Sequence, residues 1–174
     1  RSGMTTAPLA PSLAFVAVLL VVSAFFSSTE IALFSLTADR VAELAASDDR
    51  GPGLQRLRED PHRLLVTILV GNNVVNIAIS SILTVLLVAY LPPELAVAGT
   101  TLAATSLVLV CGEILPKSWA LANADSWALR VAKPMRYVGV LLWPLTVVFD
   151  TLTRGISGAT GGSADIEREL LDDE

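Results

Sequence analysis

Cysteine and histidine are nearly missing from this chain: Cys111 and His62 stand alone. A single thiol excludes an intrachain disulfide, and one thiol with one imidazole falls short of the donors that zinc and copper sites draw on. No histidine lies in an apolar run, no two aspartates are paired there, and no nucleophile stands beside a base, so an enzyme is not expected. The formal net charge of −5 offers no basic footprint for nucleic acid. Charge itself is absent from three long stretches, Leu9 to Thr29, Leu64 to Pro93 and Leu95 to Gly112. Aromatics supply only 6% of the residues although 53% are hydrophobic, a balance that suits lipid better than a soluble core. Each stretch is long enough to span, because a bilayer core of about 30 Å takes about 20 helical residues.

The first run could be taken for a secretory signal. It is longer than a signal's apolar region, has no basic start beyond Arg1, and continues without a cleavage motif into Phe25 to Leu36. Arg1, Ser2 and Gly3 read as an expression scar ahead of Met4. Basic residues mark orientation. Arg40, Arg50, Arg56, Arg58 and Arg63 separate the first two runs, and Lys117, Arg130, Lys133 and Arg136 follow the third, whereas the turn Leu91-Pro92-Pro93-Glu94 carries none. The expectation is a multi-pass protein of the plasma (inner) membrane with its N-terminus outside and its C-terminus cytoplasmic.

The segment Thr37 to His62 predicts two short amphipathic helices broken at Gly51-Pro52-Gly53, with Thr37 and Asp60 as N-caps. The 13 uncharged residues from Tyr137 to Phe149 would reach only about 20 Å as a helix. They predict a helix along the cytoplasmic interface, anchored by Arg136, Tyr137 and Trp143, rather than a fourth span. The fold class expected is therefore all-α and membrane-integral, with three spans, a cytoplasmic helical hairpin and an interfacial belt helix. Residues 4–154 form this domain. Residues 155–174 read as a Gly/Ser-rich linker and an acidic run opening a truncated cytoplasmic region.

Polar groups at membrane depth are costly unless paired, solvated or used. Ser23, Ser27 and Glu30 follow a four-then-three spacing that places them on one helical face, with Ser28 beside them. Asn73, Asn76 and Ser80 repeat that spacing in the second run, with Asn72 adjacent. Antiparallel packing sets these hydroxyls against amides at matching depth. Such neutral hard oxygens suit magnesium, calcium or sodium. In the third run Pro116 has no N–H, so the carbonyl of Gly112 is expected to lose its helical partner, and Glu113 adds a second intramembrane carboxylate to Glu30. Serines and threonines in spans often bond their own backbone, which is the reading given to Thr100, Thr101, Thr105 and Ser106.

Three motifs, Phe26-Ser27-Ser28-Thr29-Glu30-Ile31-Ala32-Leu33, Gly71-Asn72-Asn73-Val74-Val75-Asn76 and Gly112-Glu113-Ile114-Leu115-Pro116-Lys117, resemble the transmembrane domain of the CNNM/CorC family in order and spacing. The resemblance implies a sodium-coupled magnesium exporter, Mg2+ being the substrate and Na+ the coupling ion. It also implies a homodimer with three spans and a juxtamembrane belt helix per subunit, and a downstream cytoplasmic CBS-pair domain. By matching position, it implies a cation site of Ser27, Ser28, Asn76, the Gly112 carbonyl and Glu113, with Ser23 and Asn73 as outer candidates. Glu30, Asn72, Pro116 and Lys117 would shape the cavity or a coupling site. A membrane-bound magnesium sensor without net flux is the competing expectation.

Overall fold

The computed structural model describes residues 9–149 and 151. The scar at 1–3 and the linker and acidic run at 155–174 lie outside the described residues. Among the described residues every regular element is helical. Three helices are long and apolar enough to cross a membrane: α1 (Leu9–Phe34), α4 (Pro61–Tyr90), and a third span, Pro93–Ala122. The third span is composite, made of α5 (Pro93–Leu107), a π-helical stretch Val108–Ile114, and α6 (Leu115–Ala122). Between the first two spans lie α2 (Ala38–Ser47) and α3 (Gly51–Arg58), and after the third comes α7 (Ala124–Leu141).

Local chemistry sets these boundaries. Thr37 Oγ1 accepts the Arg40 N–H at 3.3 Å and Asp60 Oδ1 accepts the Arg63 N–H at 3.0 Å, so both expected caps form. Prolines 52, 61 and 93 each sit in a first turn, where the missing N–H has no helical partner to lose. The belt helix starts earlier than the uncharged run suggested. It is the amphipathic α7, which turns at Leu142 before helix resumes over 143–149. Asn123 breaks the chain between α6 and α7, and its Nδ2 donates to the Trp119 carbonyl at 2.9 Å. The third span continues past the uncharged run to Ala122, with a π stretch just ahead of Pro116, which sits in the first turn of α6.

α1 is the central element, packed against α4, the π stretch, α6 and α7. Its polarity is inside-out relative to a soluble helix. Ser23, Ser27, Ser28 and Thr29 are buried while Leu13, Phe15, Val18 and Val21 are exposed, facing where acyl chains would lie. Small residues let the backbones approach. A Cβ on Gly71 would stand 2.4 Å from Cζ of the buried Phe26 ring, so glycine there permits the close α1–α4 contact.

The hairpin and α7 are fastened to the spans at one end. Arg58 donates to the Leu33 carbonyl, which the end of α1 leaves open, and, at 3.3 Å, to the Leu36 carbonyl just beyond the helix. Its guanidinium also lies 5.6 Å from the Phe34 ring centre. Arg40 forks onto Asp125 Oδ2 at 2.6 and 3.2 Å, tying α2 to α7, and hydrogen bonding to Arg40 holds the Asp125 carboxyl below its usual range. Gly71→Val is expected to destabilise the domain by about 1–3 kcal/mol through overpacking against Phe26. Thermal unfolding in detergent checks this, and an unchanged midpoint would mean that the α1–α4 contact is slack.

Candidate cation site

The centre of the spans is a cluster of oxygens from three helices. Ser23, with 0% of its surface exposed, points its hydroxyl from α1 at two amide carbonyls of α4. Ser23 Oγ donates toward Asn76 Oδ1 at 2.9 Å and stands 3.1 Å from Asn72 Oδ1. One hydroxyl carries one proton, so it can serve only one of these acceptors at a time. The third wall is Gly112, where a Cβ would lie 2.7 Å from Ser23 Oγ.

The π stretch adds backbone oxygens. Leu115 N–H bonds to the Val110 carbonyl rather than to Cys111, its α-helical partner, and Pro116 has no N–H for Gly112. Two successive carbonyls, of Cys111 and Gly112, thus lose the partners an α-helix would give them, one more than proline alone accounts for. Glu113, partly exposed, lines a cavity of about 260 Å³ together with Asn76, Ser80 and Thr105.

Other span hydroxyls behave differently. Thr67, Ser80, Ser81, Thr84 and Thr101 each donate to the carbonyl four residues back, the ordinary arrangement in lipid. Ser27 Oγ and Thr29 Oγ1 are fully buried with no hydrogen-bond partner among the described residues. Ser27 lies one turn beyond Ser23 on the same face. Unsatisfied hydroxyls in such a position are candidates for a ligand's oxygen shell.

Several expected site residues are thus brought together and others are not. Ser23, Asn72, Asn76 and Gly112 converge, so Ser23 and Asn72 belong to the centre rather than its margin. Asn73 is exposed on another flank, because in this helix Asn72 and Asn76, four apart, share the inward face. Ser28 donates to the Phe25 carbonyl at 3.1 Å and borders an apolar cavity with Trp119 and Trp127, away from the Asn72–Asn76 face. Glu30 Oε2 pairs with Lys117 Nζ at 3.1 Å, both side chains mostly shielded, linking α1 to α6. Thr29 is no candidate in sequence, and Thr100, expected to bond its own backbone, is instead buried with no hydrogen-bond partner among the described residues. Neither falls on the serine face, so spacing gives no signal for them. Among the described residues no three His, Cys, Asp or Glu side chains come together, leaving hydroxyl, amide and backbone oxygens as the clustered donors.

Residues 14–174 match the Cyclin M transmembrane N-terminal domain. The chain belongs to the CNNM family. It is 36% identical to a chloroplastic DUF21 domain-containing protein of Arabidopsis thaliana over 91% of this chain and 24% of that protein. It is 30% identical to a UPF0053 protein of Haemophilus influenzae over 98% of this chain and 41% of that one. It is also 30% identical to the UPF0053 inner membrane protein YfjD of Escherichia coli, over 83% and 34%. The chain therefore spans well under half the length of these curated relatives.

Ser23→Ala leaves the two amide oxygens without their shared donor. A loss of about 1 kcal/mol in unfolding free energy is expected, and Asn76→Leu added to it should restore part of that loss. A double-mutant cycle on thermal unfolding tests the coupling, and strictly additive effects would dissolve the cluster.

Proposed function

We propose that this CNNM domain carries magnesium across the membrane as an exporter driven by sodium. The observation that carries the reading is the oxygen spacing at Ser23. An octahedral magnesium ion with oxygens at about 2.1 Å places neighbouring ligands about 3.0 Å apart. Asn76 Oδ1 and Asn72 Oδ1 lie 2.9 and 3.1 Å from Ser23 Oγ. The same spacing serves a hydrogen bond when the ion is away. Ser27 and the Gly112 carbonyl extend the donor set along the helix faces. Magnesium sheds water reluctantly, so these neutral oxygens hold it with part of its hydration kept.

A neutral cage leaves the ion's charge uncompensated in a medium of low dielectric. Glu113, bordering the same cavity as Asn76, is the carboxylate placed to offset it. Glu30 and Lys117 neutralise one another, and we assign them to the rim of the inward-facing route, where opening the pair would change the local charge. A helix whose register is interrupted beside an ion site is a recurring device of secondary transporters.

The homodimer belongs to the same proposal. An exposed amide such as Asn73 is costly against acyl chains and is better placed in a contact with a second copy. So do the cytoplasmic orientation of α2, α3 and α7, placement in the plasma (inner) membrane, and a CBS-pair module downstream. No chemical step is part of it.

Magnesium flux in proteoliposomes, with and without an imposed sodium gradient, tests this reading. Sodium-dependent flux should be present and should fall by more than roughly tenfold in Asn76→Ala, since even outer partners of a metal are worth about that much. Saturable magnesium binding without flux would replace the exporter by a sensor. Unaltered magnesium affinity in Asn76→Ala would remove the site.

A further inference from the structure

We infer that α7 and the hairpin build a binding site for one anionic phospholipid of the adjacent leaflet, apart from the cation route. Two cavities flank α7. The larger, about 1060 Å³, lies between residues 49–53, at the start of α3, and α7 and includes Arg50, Arg130, Lys133 and Arg136. The smaller, about 230 Å³, lies between α7 and the α3–α4 junction and includes Arg56, Arg63 and Arg136. Both share Arg136 and Val140, so they read as two lobes of one groove.

The groove is cationic, and much of its charge is uncommitted. Six basic side chains meet two acids, Asp49 and Asp60, and Asp60 is occupied in capping the Arg63 N–H. Arg50 is held by Asp48 at 2.8 Å. Arg130, Lys133 and Arg136 make no ion pair among the described residues, and their spacing of three puts them on one side of α7. The next turn is apolar and open: Val140 and Leu141 are 72% and 78% exposed, beside Tyr137.

A soluble anion would use the cations and leave that apolar turn bare. An acyl chain without charge would do the reverse. An anionic phospholipid fits both ends, its phosphate among Arg130, Lys133 and Arg136 and its chains along Val140 and Leu141. Basic residues also accumulate on the side of a membrane protein that faces anionic lipid, and juxtamembrane basic groups are attracted to such a surface.

The test is native mass spectrometry of the full chain, titrated with phosphatidylglycerol or phosphatidylcholine from mixed micelles. Phosphatidylglycerol should be retained preferentially at one site per chain. Arg130→Gln/Lys133→Gln/Arg136→Gln should weaken it on the order of a hundredfold, about fivefold per charge. Arg130→Lys/Arg136→Lys, which keeps the charge, should retain most of the binding and controls for folding. Equal retention of the two lipids, or no loss in the triple glutamine variant, would overturn the proposal. Competition by glycerol phosphate as tight as by the whole lipid would make this a soluble-anion site instead. Displacement by a peptide copying residues 165–174 would assign the groove to the chain's own acidic run.

Discussion

A serine hydroxyl has one proton to give, and at the centre of this protein two carbonyl oxygens lie within reach of it. That shortage organises the membrane-spanning part of the molecule. For Ser23 to meet Asn72 and Asn76, α1 and α4 must approach closely, which Gly71 permits by leaving room for the Phe26 ring. For the third span to close over the same hydroxyl, position 112 must lack a Cβ. Three helices are thus held around a polar point that lipid cannot solvate and that backbone bonding does not fully satisfy. The protein keeps an under-donated cluster where a purely structural interface would have been apolar or fully paired.

The parts outside the spans have a different task. Arg58 closes the end of α1 with hydrogen bonds to the Leu33 carbonyl and to that of Leu36 just beyond it, and Arg40 reaches from α2 to Asp125 at the start of α7. These contacts fix the hairpin and α7 to one end of the bundle, beside the Glu30–Lys117 pair. Movement of the spans against one another would therefore be felt by α7, the element that carries the basic groove. The polar cluster of the spans and the basic groove are mechanically adjacent even though no residue belongs to both.

Much of this was legible in sequence because lipid allows few solutions. Uncharged runs of spanning length give the spans, and caps at Thr37 and Asp60 mark the start of α2 and of α4 on either side of the hairpin. The serines of α1 and the amides of α4 were visible as polar groups with nowhere else to go. The failures are equally physical. Asn73 and Asn72 differ by one position, and helical spacing from Asn76 admits either neighbour, at three residues or at four, so only the packing of α4 on α1 could choose. Ser28 satisfied itself on its own helix. Helix is present over 137–141 and 143–149 as expected, but it begins earlier, as the amphipathic α7 with its cations on one side, so absence of charge marks only its later part. Pro116 announced a disturbed backbone, but a π stretch and a helix end are alternative responses to the same missing N–H.

That stretch has one more consequence. A π turn holds a surplus residue, and the surplus can pass along a helix without the ends of the helix parting. Shifting it by one position re-aims only the residue it passes, by about 100° about the axis, the angle between successive residues, and leaves the helix on either side in register. In the third span a slip across 112 and 113 would swing Glu113 and the Gly112 carbonyl relative to Ser23 while leaving α5 and α6 in register. A rod that spans the membrane in this way can re-aim the few residues at its surplus turn with no hinge and no gap in its length.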